Sequence, residues 1–192
     1  MSWRFRREGA TQELRDLTLE QIVSALPPAE SQSFNNSDGL TLSLADGTLI
    51  QIPQNAMPDG FGETIRITVD PQIELPNTDL NRLALYYGYT INLYDAQTGK
   101  PITQPLKQPA TITFSYTPAQ LQQLGLSEES LQPAQFADDA WHVAQGFLQD
   151  TQGDVKTISL ETTSLDTWAL VAEQRVVAQA GGARVYVPLV QR

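Results

Sequence analysis

Apolar residues recur at helical spacing near the N-terminus. Leu14, Leu17, Ile22 and Leu26, with Val23 beside them, predict a helix over residues 11–26. Thr18-Leu19-Glu20-Gln21 has the form of a capping box, which starts or restarts the helix at Thr18. Pro27-Pro28 ends it, because proline lacks an N–H and disfavours helix in the residue before it. Residues 29–38 are mostly polar and read as a linker, so the N-terminal segment is taken as 1–38.

From Gly39 the period changes to two. Leu40, Leu42 and Leu44 alternate with polar residues, Asp46-Gly47 turns the chain, and Leu49 to Ile52 returns, which predicts a hairpin. Residues 53–62 are a loop with Pro58-Asp59-Gly60 at its tip. Thr64 to Val69 alternates, with Ile65, Ile67 and Val69 on one face. Residues 70–81 read as a polar loop. Leu83 to Tyr94 predicts one long strand, bent or bulged at Gly88. A turn at 95–100 leads to the strand Thr111 to Tyr116. Thr117-Pro118 then opens a short helix, with threonine as cap and proline at the first helical position, and Gly125 stops it. Further strands are predicted at 130–136, 141–148, 155–162 and 167–171. About eight strands with little helix predict a mainly β domain over 39–173, a two-sheet antiparallel sandwich. Residues 174–192 form a tail with a flexible joint at Gly181-Gly182 and an apolar end, Val185 to Val190.

Composition narrows the function. The chain has 192 residues, 18% of them charged, and a net charge of −10. Residues 1–15 carry +2 and residues 173–192 carry +2, leaving −14 for the body between. Nucleic-acid binding needs a basic footprint, so DNA and RNA are excluded as main partners. There is no cysteine and a single histidine, which removes thiolate chemistry, disulfides and multi-histidine metal sites. No apolar run is long enough to span a membrane, and no cofactor is implied. Arg4, Arg6 and Arg7 are not followed by an apolar stretch, so no signal peptide is read in the chain as given.

Candidate chemistry is sparse. His142 lies on a predicted strand beside Trp141, with no second catalytic partner that the sequence identifies, so a non-enzymatic protein is expected. Asp95, Asp138-Asp139, Asp150 and Asp154 fall in turns but lack the alternating spacing of a calcium loop. Tyr86-Tyr87-Gly88-Tyr89 is the densest aromatic cluster. Alternation puts Tyr87 and Tyr89 on one face, where exposed rings, with Trp141, would anchor a protein or stack a sugar.

The order of these features resembles the ZU-five domain of ankyrins, netrin receptors and death-domain scaffolds, a β-sandwich module also found in bacterial surface and secreted proteins. The resemblance covers residues 40–172. It is carried by Asp46-Gly47 followed by Ile52-Pro53-Gln54-Asn55-Ala56-Met57, by Thr64 to Val69, and by Gly99-Lys100-Pro101 with Pro109 to Tyr116. The Pro118 to Leu121 helix with Glu128 to Leu131, then Trp141-His142-Val143 with Thr162 to Leu170, complete it. Asn55 stands where the family commonly has glycine; asparagine tolerates a left-handed backbone, so the turn is expected to survive. Some members cut themselves at a His-Phe-Ser triplet. The matching residues here are Ser164-Leu165-Asp166, which supply neither base nor hydroxyl nucleophile. The Val185 to Val190 end is similar to the ends of certain secreted bacterial proteins.

The resemblance implies a non-enzymatic interaction or structural module of a bacterial exported or surface-associated protein, with a protein or neighbouring domain as partner. The alternative is a carbohydrate-binding module that uses Tyr87 and Tyr89, with a glycan as partner. An extracellular or cell-surface location is expected, a cytoplasmic one being the alternative.

Overall fold

The alternating pattern becomes two antiparallel sheets packed face to face. The computed structural model describes residues 26–72, 82–84, 87–138 and 140–173. In chain order the strands are β1 (Glu30–Asn35), β2 (Leu40–Ser43), β3 (Leu49–Ile52), β4 (Thr64–Gln72), β5 (Arg82–Ala84), β6 (Gly88–Asp95) and β7 (Ala110–Tyr116). After helix α1 (Pro118–Leu124) and a 3-10 turn (Glu128–Ser130) come β8 (Leu131–Ala137), β9 (Ala140–Val143), β10 (Leu148–Asp150), β11 (Lys156–Thr162) and β12 (Thr167–Glu173). One sheet has seven strands in the order β1-β4-β6-β12-β8-β9, with β5 pairing β12; the other has five in the order β10-β11-β7-β3-β2.

The core lies between the sheets. Ile65, Ile67 and Val69 of β4 are buried with Ile50 of β3, Ile112 and Phe114 of β7, and Ile158 of β11 in one cluster. Removing such side chains from water, at about 2 kcal/mol each, drives the two faces together. Local signals agree with the result. Thr117 and Gln120 close a capping box on α1, and Gly125 caps its end in the left-handed conformation. Asn55 adopts φ +56°, so the turn accepts asparagine as expected.

Several expectations are corrected. Residues 30–35, read as linker, form β1 on the edge of the seven-stranded sheet. Its apolar content is one buried residue, Phe34, and its ladder to β4, from Glu30↔Val69 to Asn35↔Thr64, supplies the rest. β4 runs on to Gln72, past the end of β1, where Pro71 sits on a strand end with an open edge. The stretch 83–94 forms two strands rather than one. Trp168 pairs with Tyr89 and Val171 with Ala84, so a three-residue step on β12 faces a five-residue step across from it. The stretch 141–148 also divides: Gly146, at φ +75°, carries the chain from β9 in one sheet to β10 in the other. These changes add three strands, and the described residues hold twelve. The helix predicted over 11–26 and the tail over 174–192 lie outside the described residues, apart from Leu26.

Candidate interaction face

Strand β12 runs Thr167-Trp168-Ala169-Leu170-Val171-Ala172, with almost no polar alternation. A strand of that kind is buried on both faces. Trp168, Leu170 and Ala172 point into the sandwich core. Ala169 and Val171 point the other way, and with Ala134 of β8, which pairs Ala169, they form a second apolar cluster on the outer face of the seven-stranded sheet. Ala134 and Ala169 are 0% exposed and Val171 is 4% exposed, core-level burial on a face that looks away from the core.

Trp141 packs against this cluster and is half-buried. It sits directly opposite Phe136 on the β8–β9 ladder, with ring centroids 5.4 Å apart. Val143, opposite Ala134, extends the patch toward the sheet edge. The far half of the same outer face is different. Thr68, Asn92, Arg66 and Tyr94 lie there, the Arg66 guanidinium 5.1 Å from the Tyr94 ring centroid. Thr90 and Thr167 mark the divide, their hydroxyls 3.0 Å apart.

Of the three residues predicted for binding, Trp141 alone belongs to this face. Tyr87 and Tyr89 do share a face, their rings T-shaped at 5.5 Å, but it is the inward one. Tyr89 is 2% exposed. Tyr87 is half-buried and its hydroxyl donates to Asp46 Oδ2 at 2.7 Å, the carboxylate that also takes the Thr48 amide and hydroxyl. Burial, then the Asp46 carboxylate, pushes both phenols well above the ordinary tyrosine range. The expected platform of exposed tyrosines is therefore corrected: register against Trp168 turns Tyr89 into the core.

The other candidates are placed as follows. His142 is exposed on β9, its Nε2 3.1 Å from the Ala137 carbonyl. Asp95 accepts from the amides of Gly62, Gln97 and Thr98, and Asp150 accepts from the Gln152 amide. Among the described residues no three His, Asp or Glu side chains converge on a point that could hold a metal ion. The Ser164-Leu165-Asp166 turn between β11 and β12 is held by its carbonyls. That of Ser164 accepts from Thr162 Oγ1, Trp168 Nε1 and Gln135 Nε2, and that of Asp166 from the Ile91 amide. No residue of this turn has a positive φ.

A polar network that the sequence does not announce closes one end of the sandwich. The buried Tyr116 donates to Glu128 Oε1 at 2.8 Å, Lys156 Nζ lies 2.7 Å from Glu128 Oε2, and Gln149 donates to the Tyr116 hydroxyl at 2.9 Å. These residues are too far apart in the chain for spacing to reveal them. The outer-face cluster did leave a signal, the uninterrupted apolar run of β12.

No protein-family model matches the chain, and no curated protein matches it. Among the described residues no helix is long and apolar enough to cross a membrane.

Proposed function

We propose that this chain is a non-enzymatic β-sandwich interaction module, ZU-five-like, from a bacterial exported or surface-associated protein. It holds a protein element on the outer face of its seven-stranded sheet. The observation that carries this reading is the second buried cluster, Ala134, Ala169 and Val171 with Trp141 beside it. A sheet that only closes a sandwich needs one apolar face, and this one has a second over β12, β8 and β9. The bacterial and exported parts of the reading are supported by the sequence resemblance and by the Val185 to Val190 end.

The test is a photo-crosslinking amino acid placed at Trp141, with Thr68 on the polar half of the same face as the comparison position. The reading expects protein adducts at position 141 well above those at 68. Equal yields at the two positions, or none at either, would sink it.

A further inference from the structure

An apolar cluster on the outside of a sheet with core-level burial needs a cover. Trp141 is the hydrophobic residue packed against it among the described residues, and it flanks the cluster from β9. We infer that residues 11–26 of this chain lie across that face as an amphipathic helix, seated on Ala134, Ala169, Val171 and Trp141. The inference rests on the reading of this face as an interaction surface and names its occupant.

The described chain begins where such a helix would have to end. Leu26 is half-buried and Pro27 is buried, with Pro28 and Ala29 exposed between them and β1, so the chain meets the body at Leu26 and Pro27. β1 opens level with the start of β12: Glu30 faces Val69, Val69 faces Ile91, and the Ile91 amide bonds the Asp166 carbonyl. Residues before Glu30 therefore head along the sheet toward the level of Thr167 to Ala169. From β1 to β9 there are five strand spacings, about 24 Å. Sixteen residues of helix also span about 24 Å, enough to reach across to the apolar half. On a helix Leu14, Ile22 and Leu26 fall within about 120° of one another, with Leu17 about 60° beyond Leu14 on the flank. Residues 11–26 carry Arg15 against Glu13, Asp16 and Glu20, net −2 like the acidic body, so the contact rests on apolar burial and not on charge. The tail beyond Glu173 is the competing occupant. It leaves from the middle of the sheet, and its apolar end follows a glycine joint and contains Pro188, which suits it less to a helical seat.

The test uses the full chain, which has no native cysteine. A photo-crosslinking residue at Leu14 or at Leu17 is expected to give adducts within one chain, mapping to peptides 131–143 or 167–173. In parallel, Val171→Cys is labelled by a thiol reagent beside an exposed control, Leu148→Cys, the native leucine being 75% exposed. Val171→Cys should react at least about tenfold more slowly than the control, and Leu14→Asp with Leu17→Asp should remove most of that protection. Adducts mapping elsewhere, adducts only between chains, or face adducts from a probe at Val187 instead would overturn the assignment of residues 11–26. If Val171→Cys stays protected in those cases, the face remains an interaction surface with another occupant. Free labelling of Val171→Cys in the full chain would bring down both readings.

Discussion

Gly62 presses its backbone against the buried carboxylate of Asp95: the Gly62 amide donates to Oδ2, and a Cβ there would stand 2.8 Å from that oxygen. With the Thr98 and Gln97 amides added, Asp95 ties the β3–β4 loop to the turn after β6. Gly62→Ala must push the loop off the carboxylate and should cost about 2 kcal/mol, as overpacking does. Urea unfolding at neutral pH measures it; a loss under about 0.5 kcal/mol, the level of ordinary surface changes, would show that the loop yields freely.

The same site sets an acid limit. The amides of Thr98 and Gly62, then the Thr98 hydroxyl and the Gln97 amide, hold the Asp95 carboxyl at about 2, below its ordinary 3.8. The native state thus binds this proton less tightly than the unfolded chain. Its stabilisation is complete above about pH 4 and is lost as pH falls toward 2. Asp95→Asn should flatten the acid limb of a stability–pH profile between those values. An unchanged acid limb would show that other carboxylates set it.

Tyr87 and Tyr89 should respond oppositely to loss of their hydroxyls. Tyr87→Phe removes a bond to the Asp46 carboxylate and is expected to cost about 1.5 kcal/mol. Among the described residues the Tyr89 hydroxyl is buried without a hydrogen-bond partner, so Tyr89→Phe should be neutral or stabilising by up to about 1 kcal/mol. Thermal melts of the two variants decide the order, and a larger loss at Tyr89 would contradict the geometry.

Tyr116, Glu128 and Lys156 should limit stability at high pH. Burial pushes the Tyr116 phenol up to about 12, with the Glu128 carboxylate adding to the rise. A proton held more tightly in the native state stabilises fully below about pH 10 and is lost as pH rises toward 12. Tyr116→Phe should blunt the alkaline loss between those values. Glu128→Gln should cost about 2 kcal/mol near neutral pH, since it removes the charge that Lys156 and Tyr116 share. A Glu128→Gln variant as stable as the parent would show that the pair contributes nothing net.

The chain should stay one polypeptide of 21.2 kDa through purification and storage. Self-cleavage at the β11–β12 turn needs a hydroxyl or thiol, a base and a strained bond. Leu165-Asp166 offers a carboxylate instead, in a turn where the Ser164 and Asp166 carbonyls on either side are hydrogen-bonded. Intact mass spectrometry checks this; two fragments meeting between Leu165 and Asp166 would refute it.

Local physics made much of the fold legible in the sequence. Alternation at Leu40, Leu42, Ile65, Ile67 and Ile112, the Asp46-Gly47 turn and the Thr117 to Gly125 helix signals each rest on neighbours within a few residues. Those elements form where they are read. Tertiary structure decided what depends on distant partners. Glu30 to Asn35 is a strand because the edge of β4 offers it a ladder, which its own polar composition does not announce. That the stretch 83–94 holds two strands follows from β5 and β6 both pairing with one strand, β12. That registration also turned Tyr89 inward, while the β12–β8–β9 register left Trp141 outward. Period two assigns residues to two faces, but which face meets the other sheet is fixed only when the sheets pack. The Tyr116–Glu128–Lys156 network has the same origin, since its members meet only after β7, β11 and the 3-10 turn converge.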